Sequence, residues 1–262
     1  MTRVAVVTGA ARGIGAGVVR QLAVDGWAIV AVDAADGALL AGYRLATKEQ
    51  FEASVAAVPD PDLVIPVVAD CRSLAAVRDA IDVAIARFGG LDAAVATAGI
   101  IAGGAPGWET DDETYEALMD VNVGAVRQLA RAAVPALLAR PAPRNGRFVA
   151  VASVAGHRGL RSLAVYCAAK HACVGFVRGL AADLRGTGVT ANVVSPGSTD
   201  TSMLERTAEL YDLDGTHHFA AHSLVDRLLA AEEVAAAVAW LCSRESSALH
   251  GSVISADGGM TT

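Results

Sequence analysis

Short apolar runs alternate with longer segments of helical periodicity along nearly the whole chain. The first run, Val4–Thr8, is rich in β-branched residues and is followed by a glycine, which is typical of a strand buried on both faces. The next segment places Ile14, Val18 and Leu22 about one helical turn apart. Because strands and helices continue to alternate, the pattern predicts an α/β fold with a parallel sheet covered by helices on both faces.

The predicted elements follow one another without a linker or an internal repeat. Strands are expected at residues 4–8, 28–32, 63–69, 93–97, 147–152, 190–194 and 252–255. Helices are expected at residues 13–25, 48–58, 74–88, 166–185 and 231–241, with two helical segments between 111 and 140. Residues 34–47 and 195–223 show no regular pattern. We therefore predict one domain, residues 1–262, in which the polar segment 195–223 contributes a substrate loop.

Composition excludes several classes of protein. Hydrophobic residues make up 53% of the chain and charged residues 19%, so a packed core is expected rather than disorder. The net charge of −7 argues against a nucleic-acid binder, which would carry clustered basic charge. The longest stretch without charged side chains, residues 93–108, contains four glycines and a proline. It is too short and too broken to cross a membrane.

Cysteine usage favours a reducing compartment. The four cysteines lie far apart and form no Cys-x-x-Cys pair: Cys71, Cys167, Cys173 and Cys242. Neither disulfides nor a cysteine zinc site are therefore expected. The chain also leads directly into its first predicted strand, without a leader-like segment. These features together predict a cytoplasmic protein.

A glycine-rich turn joins the first predicted strand to the first predicted helix. Its glycines are Gly9, Gly13 and Gly15, with Arg12 and Ile14 between them. Glycine permits a tight turn and the close approach of a ligand, and the free N–H groups at a helix start attract a pyrophosphate. The spacing G-x-x-x-G-x-G differs from the usual G-x-G-x-x-G. Its place between strand and helix nevertheless predicts dinucleotide binding, the alternative being a turn needed only for packing.

An acidic residue, Asp33, follows the second predicted strand, 24 residues after Gly9. A carboxylate at this place accepts hydrogen bonds from the adenosine ribose hydroxyls and repels a 2′-phosphate. NAD is therefore predicted in preference to NADP, although the basic Arg12 within the turn is a residue type that can serve NADP. The alternative is that Asp33 is an ordinary loop carboxylate.

Three further residues suggest proton transfer to or from an alcohol. Tyr166 and Lys170 share one face of a predicted helix, and Lys170 is one of only 2 lysines beside 19 arginines. A lysine about 4 Å from the phenolate would supply roughly the 4 kcal/mol needed to bring the tyrosine pKa near 7. Ser153 ends the fifth predicted strand, at the sheet edge where ligands bind, and would hold the substrate oxygen.

Two other segments carry polar groups in apolar surroundings. Asn122 is either a satisfied buried amide or the holder of a water that connects Lys170 to solvent. The segment 196–201 follows the sixth predicted strand and contains Pro196, Gly197, Thr199 and Thr201. Its N–H groups and hydroxyls suit a nicotinamide carboxamide.

Several aromatic and basic residues are candidates for the substrate pocket, although surface or packing roles are the simpler explanation for each. They are Trp108, His157, Arg158, His217, His218 and His222. The last three have no carboxylate or cysteine partner at a persuasive spacing, so no metal site is predicted.

Together, these motifs resemble the short-chain dehydrogenase/reductase family, from T-G-x-x-x-G-I-G at residues 8–15 to Asp-Gly-Gly at residues 257–259. The resemblance implies a Rossmann fold with a doubly wound seven-stranded sheet and NAD(P) binding, usually in a homotetramer formed through residues 102–140 and 166–185. The implied catalytic set is Asn122, Ser153, Tyr166 and Lys170. The implied cofactor contacts are Gly9, Arg12, Gly13, Ile14, Gly15, Asp33, Asp70, Cys71, Gly99, Tyr166, Lys170, Pro196, Gly197, Thr199 and Thr201.

One departure from the family pattern lies after the fourth predicted strand. The family has Asn-Asn-Ala-Gly where this chain has Ala96-Thr97-Ala98-Gly99. The loss of both amides is expected to weaken a hydrogen-bonded support under the cofactor.

The extended segment after Asp33, which includes Tyr43-Arg44-Leu45-Ala46-Thr47, resembles an insert in the mycofactocin-coupled subfamily, as does Gly156-His157-Arg158-Gly159. That resemblance implies NAD that is held without exchange and is reoxidised by the redox cofactor mycofactocin. The alternative for the segment is a loop that varies freely.

The sequence thus favours an oxidoreductase that moves a hydride between a small alcohol or ketone and NAD, with Tyr166 as acid and base. A ketone reductase with exchangeable NAD(P) is the first alternative. A non-catalytic dinucleotide-binding regulator is disfavoured because the chain keeps both Tyr166 and Lys170. A sugar-nucleotide epimerase shares that pair but needs a larger substrate region.

Overall fold

The computed structural model describes residues 2–262. The strands are β1 Val4–Thr8, β2 Ala28–Asp33, β3 Leu39–Leu40, β4 Tyr43–Arg44, β5 Val64–Val68, β6 Ala93–Ala96, β7 Arg147–Val151, β8 Thr190–Pro196 and β9 Val253–Ala256. The helices are α1 Gly13–Val24, α2 Lys48–Ala56, α3 Leu74–Phe88, α4 Asp112–Met119, α5 Ala125–Ala139, α6 Ala164–Asp183, α7 Ser202–Leu210 and α8 Ala231–Cys242.

Seven of the strands form one parallel sheet in the order β5-β2-β1-β6-β7-β8-β9. The chain winds outward from β1 through β2 to β5, returns to β6 beside β1, and then winds outward to β9. The strand order therefore reverses between β1 and β6, where the connections leave on opposite faces and open a crevice. The predicted α/β fold with a doubly wound seven-stranded sheet is confirmed.

The sheet separates two apolar layers. Val4 and Val6 face a layer that contains residues of α3, α5 and α6, whereas Ala5 and Val7 face a layer with residues of α1 and α8. This alternation is the two-residue period of a strand. Because helices cover both faces, all five residues of β1 are buried, which explains why its sequence reads as a continuous apolar run.

Two segments that were predicted to be irregular contain regular structure. Residues 34–47 include the antiparallel hairpin of β3 and β4, in which Leu39 pairs with Arg44. Residues 195–223 contain the end of β8, all of α7 and a 3₁₀ helix at Thr216–His222. The signal for α7 was the spacing of Leu204 and Ala208, its two buried residues, which lie one helical turn apart.

Most other boundaries agree with the prediction within two residues. Pro66 remains in the middle of β5, which is tolerated because β5 is an edge strand. The two helical segments between 111 and 140 are α4 and α5, joined by a π-helical turn at Asp120–Gly124. Within residues 2–262, no helix combines the length and the apolar character needed to cross a membrane.

A core substitution tests the layer on the α5 side of the sheet. Leu129 on α5 is fully buried, so Leu129→Ala should lower the free energy of unfolding by about 2–5 kcal/mol through lost contacts and a residual cavity. The matched change Leu224→Ala, at a side chain that is 77% exposed, should change it by less than about 0.5 kcal/mol. Equilibrium unfolding in urea measures both. Equal losses in the two variants would contradict the assigned core.

Candidate active site

Two glycines let the turn after β1 approach the end of β6. Gly9 has a φ of +71°, and a Cβ there would lie 2.5 Å from the backbone nitrogen of Ala98. A Cβ at Gly15 would overlap the carbonyl oxygen of Gly9. Only glycine fits at these two positions.

The turn ends at a helix start that is open to a ligand. Arg12 is the N-cap residue of α1, and no described side chain accepts a hydrogen bond from the first turn of the helix there. Its N–H groups are therefore available to a phosphate, which the positive end of the helix dipole also favours. The glycine cradle and this helix start fit a dinucleotide pyrophosphate.

Asp33 lies at the end of β2 beside the glycine turn. Its two carboxylate oxygens each accept one backbone hydrogen bond, from Ala11 at 3.0 Å and from Ala35 at 3.1 Å. Burial raises the pKa of Asp33, and these backbone N–H groups oppose that rise. A carboxylate has about four lone-pair sites, so acceptor capacity remains for a ribose hydroxyl.

Arg12 points toward the β3–β4 hairpin. Its guanidinium donates to the carbonyl oxygen of Arg44 and lies 5.2 Å from the centre of the Tyr43 ring. The Tyr43 hydroxyl is in turn 3.5 Å from the Ser202 hydroxyl oxygen at the start of α7. The hairpin therefore spans the distance between the glycine turn and α7.

A cleft of about 660 Å³ runs along the carboxyl ends of the strands. Leu40, Tyr43 and Leu45 of the hairpin segment line one part of it. All the residues predicted as cofactor contacts also line it, namely Gly9, Arg12, Gly13, Ile14, Gly15, Asp33, Asp70, Cys71, Gly99, Tyr166, Lys170, Pro196, Gly197, Thr199 and Thr201. Its size is in the range of small-molecule and cofactor sites.

Tyr166 and Lys170 are both buried on α6, 5% and 4% exposed. The Lys170 Nζ donates to the carbonyl oxygen of Val151 at 3.3 Å and lies 5.8 Å from the centre of the Tyr166 ring. Burial lowers the pKa of Lys170 and raises the pKa of Tyr166, which a hydrogen bond with Ser153 partly offsets. We expected the charges of Lys170 and the nicotinamide to lower the tyrosine pKa, and that expectation left out the cost of burying a charge.

Ser153 and Met203 flank the Tyr166 hydroxyl. Ser153 lies two residues after the end of β7, and its Oγ accepts a hydrogen bond from the Ala155 N–H at 3.1 Å. That leaves the serine O–H to donate toward the Tyr166 oxygen, consistent with the lowering effect of Ser153 on the tyrosine pKa. The Tyr166 hydroxyl donates to the Met203 sulfur at 3.8 Å, so a residue of α7 lies directly at the tyrosine.

Asn122 lies in the π-helical turn between α4 and α5 and is buried. Its amide pairs with the backbone of Ile100 in both directions, accepting at 3.2 Å and donating at 3.0 Å. A Cβ at Gly99 would lie 3.0 Å from its Oδ1 and 3.5 Å from the Lys170 Nζ, so both residues border Gly99. The side chain is thus hydrogen-bonded in both directions, and its role in holding a water beside Lys170 stays a prediction.

Thr97 supplies part of the support that the family's asparagines would provide. Its hydroxyl donates to the carbonyl oxygen of Thr8 and lies 3.4 Å from that of Gly9. The end of β6 is therefore hydrogen-bonded to the glycine turn despite the departure from the family pattern. The expectation of a weakened support omitted this hydroxyl and stays a prediction.

The candidate pocket residues divide into two groups. His218 and His222 line the cleft, whereas Trp108 is 86% exposed and His157 bonds to the Ser195 hydroxyl at 2.8 Å. Sequence reasoning missed several apolar residues that line the cleft: Leu160, Met203, Tyr211, Phe219 and Met260. It also missed Asp214, which lies beside His217 and His218.

Comparisons with known proteins agree with this geometry. A family model described as enoyl-(acyl carrier protein) reductase matches residues 9–261. Cis-4-hydroxycyclohexanecarboxylate dehydrogenase of Sinomonas cyclohexanicum is 35% identical, over 99% of this chain and 96% of that protein.

Two solved structures are also similar. Carveol dehydrogenase from Mycobacterium avium, in complex with NAD, gives a TM-score of 0.92 at 28% identity, over 98% of this chain and 97% of that one. A short-chain dehydrogenase from Mycobacterium paratuberculosis, bound to NAD, gives a TM-score of 0.87 at 30% identity, over 99% of this chain and 97% of that one.

A pair of glycine substitutions tests the cradle. Gly15→Ala should lower the free energy of unfolding by about 1–3 kcal/mol, because its methyl group meets the Gly9 carbonyl, and it should abolish binding of added NADH. A methyl group at Gly175 on α6 would meet nothing within 4 Å, so Gly175→Ala should raise stability by up to about 1 kcal/mol. Thermal unfolding measures stability, and the amount of nucleotide that copurifies, together with the fluorescence of added NADH, measures binding. Normal NADH binding by the Gly15 variant would exclude the cradle.

Proposed function

The chain belongs to the short-chain dehydrogenase/reductase family, and from this premise we propose that it is an NAD-dependent dehydrogenase of a secondary, ring-containing alcohol. The observation that carries the proposal is the placement of Tyr166, Lys170, Ser153 and Asp33 along one cleft. Asp33 suits the ribose of the adenosine, and the other three residues suit the reacting alcohol.

NAD is proposed in preference to NADP because of two side chains. Asp33 places a carboxylate where a 2′-phosphate would have to lie. Arg12, the basic residue of the turn, is engaged with Arg44 and Tyr43 and so does not offset that charge. Two similar solved structures contain NAD.

The proposed roles follow from the contacts around Tyr166. When substrate binds, Ser153 turns its O–H from Tyr166 to the substrate oxygen, and Tyr166 accepts the proton of the substrate hydroxyl as hydride leaves the carbon that bears this hydroxyl. NAD, when bound, supplies the hydride acceptor and a positive charge. Lys170 is held by the Val151 carbonyl, from where its charge favours the phenolate form of Tyr166 over the phenol.

The substrate class follows from the apolar residues near Tyr166. Leu160, Met203 and Tyr211 belong to one apolar cluster with Tyr166, and Phe219 lies beside Tyr211. All four line the cleft, which suits an aliphatic ring better than a sugar or a phosphate ester. The names of two similar proteins refer to ring alcohols, carveol and a hydroxycyclohexanecarboxylate. We therefore propose a small alicyclic alcohol, or the matching ketone in the reverse direction.

We further propose that NAD is held without exchange and is reoxidised by mycofactocin. The support is the β3–β4 hairpin, which lines the cleft and is tied to the glycine turn through Arg12 and to α7 through the contact of Tyr43 with Ser202. A bound dinucleotide would have to displace these contacts to leave. The alternative is an ordinary ketone reductase in which this hairpin opens freely.

The setting of the reaction is part of the proposal. We place the enzyme in the cytoplasm because all four cysteines are free thiols. We propose a homotetramer formed through residues 102–140 and 166–185, by analogy with the family.

Replacement of the tyrosine tests the proposed acid and base. Tyr166→Phe should lower kcat at least about 100-fold because proton transfer is lost, with little change in NAD affinity. Tyr115 on α4 has a half-exposed ring, so Tyr115→Phe is the matched control and should be fully active. Because burial raises the pKa of Tyr166, alcohol oxidation by the unmodified enzyme should also accelerate as pH rises. Substantial turnover by Tyr166→Phe would remove this residue from the proposed role.

Cofactor retention tests the mycofactocin proposal separately. The purified protein should keep NAD through extensive dialysis, as measured by the mass and amount of nucleotide released on denaturation. Tyr43→Ala removes the ring that faces Arg12 and should release NAD faster, whereas Tyr115→Ala should not. Continuous NADH production in solution without an added acceptor would instead favour the exchangeable ketone reductase.

A further inference from the structure

A cluster of metal-ligating side chains lies outside the proposed catalytic set, in the segment that follows α7. The Asp214 Oδ1 is 2.5 Å from the Nε2 of His218 and 3.8 Å from that of His217. The two imidazole rings are 4.1 Å apart between centres. One ligand atom from each residue falls within 4.8 Å of the other two.

The local backbone explains why these three side chains converge. Asp214 precedes Gly215, and the 3₁₀ helix Thr216–His222 begins directly afterwards. A tight helical turn places residues three and four apart on one side of the chain. Asp214 therefore meets His217 and His218 together, a pairing that a search among histidines alone does not find.

From this geometry we propose that Asp214, His217 and His218 form a binding site for one divalent transition-metal ion. Two imidazole nitrogens and one carboxylate oxygen suit Zn²⁺, Co²⁺, Ni²⁺ or Cu²⁺, whereas Mg²⁺ and Ca²⁺ prefer oxygen ligands alone. Tetrahedral zinc with bonds of about 2.0–2.1 Å needs ligand atoms roughly 3.3 Å apart. The separations of 2.5 and 3.8 Å in this cluster bracket that value.

The charge state of the cluster also suits a cation. Asp214 supplies a carboxylate oxygen in hydrogen-bond contact with His218, and a metal ion would replace the proton that the two groups share. An ordinary exposed ion pair with Asp214 would contribute at most about 1 kcal/mol and would involve only one histidine. It therefore does not account for the presence of two. The second imidazole, stacked on the first beside the same oxygen, provides the third ligand.

The site would act on the wall of the cleft. His218, Phe219 and His222 line the cleft, and all belong to the 3₁₀ helix that carries two of the ligands. A metal ion bound to His218 would restrict this helix and thus the position of Phe219 at the substrate end. Three protein ligands would leave a fourth position of the ion for water. This inference does not depend on the proposed alcohol substrate.

The test is metal binding by the full-length protein freed of any affinity tag. Titration with Co²⁺, followed by its visible absorption, and with Zn²⁺, followed by calorimetry, should show one ion per chain. Mg²⁺ should produce no signal. His217→Ala and Asp214→Asn should each weaken Zn²⁺ binding at least about tenfold. All three ligands are at least 45% exposed, so these variants should fold normally, as checked by thermal unfolding.

Two further measurements locate the ion. His222→Ala, in the same 3₁₀ helix but outside the cluster, is the matched control and should bind Zn²⁺ as the unmodified chain does. Zn²⁺ should also slow amide hydrogen exchange across residues 214–222. Unchanged affinity in the His217 and Asp214 variants, or an equal loss in the His222 variant, would overturn the proposal.

Discussion

The close approach of the turn after β1 to the end of β6 is the constraint on which the rest of the site depends. Gly9 leaves no room for a side chain against Ala98, and Gly15 leaves none against the Gly9 carbonyl. Thr97 adds a hydrogen bond across the same junction. Because the strand order reverses here, the junction forms the floor of the cleft while the chain diverges on both sides of it.

Burial then determines the chemistry of the pair on α6. A buried phenol resists ionisation and a buried amine resists protonation, so the pKa of Tyr166 rises and that of Lys170 falls. Both shifts oppose the ion pair that proton transfer from an alcohol requires. A positive charge next to the tyrosine would counter the first shift, and a positively charged nicotinamide provides one. The catalytic competence of Tyr166 is therefore expected to be coupled to the oxidation state of NAD.

The sequence was sufficient for the sheet and for the predicted cofactor contacts, all of which line the cleft, and the reasons are physical. Strands such as β1 are buried on both faces, so their sequences are continuous apolar runs that are easy to recognise. The glycines of the turn are required sterically, and their spacing between a strand and a helix indicates that role. The hairpin of β3 and β4 was missed because two-residue strands leave no periodic signal. The pKa of Tyr166 was misjudged because burial depends on α7 and on the whole sheet. Asp214 was missed because its partners are histidines that looked isolated.

The central claim is that a hydride passes from the carbon of an alcohol to NAD in this cleft, with Tyr166 taking the proton. The most direct measurement is a single turnover with an alicyclic secondary alcohol that carries deuterium on its carbinol carbon, followed by mass analysis of the nicotinamide. The account predicts one deuterium on the reduced nicotinamide and a ketone as product. Ketone formed while the nicotinamide remains unlabelled would contradict it.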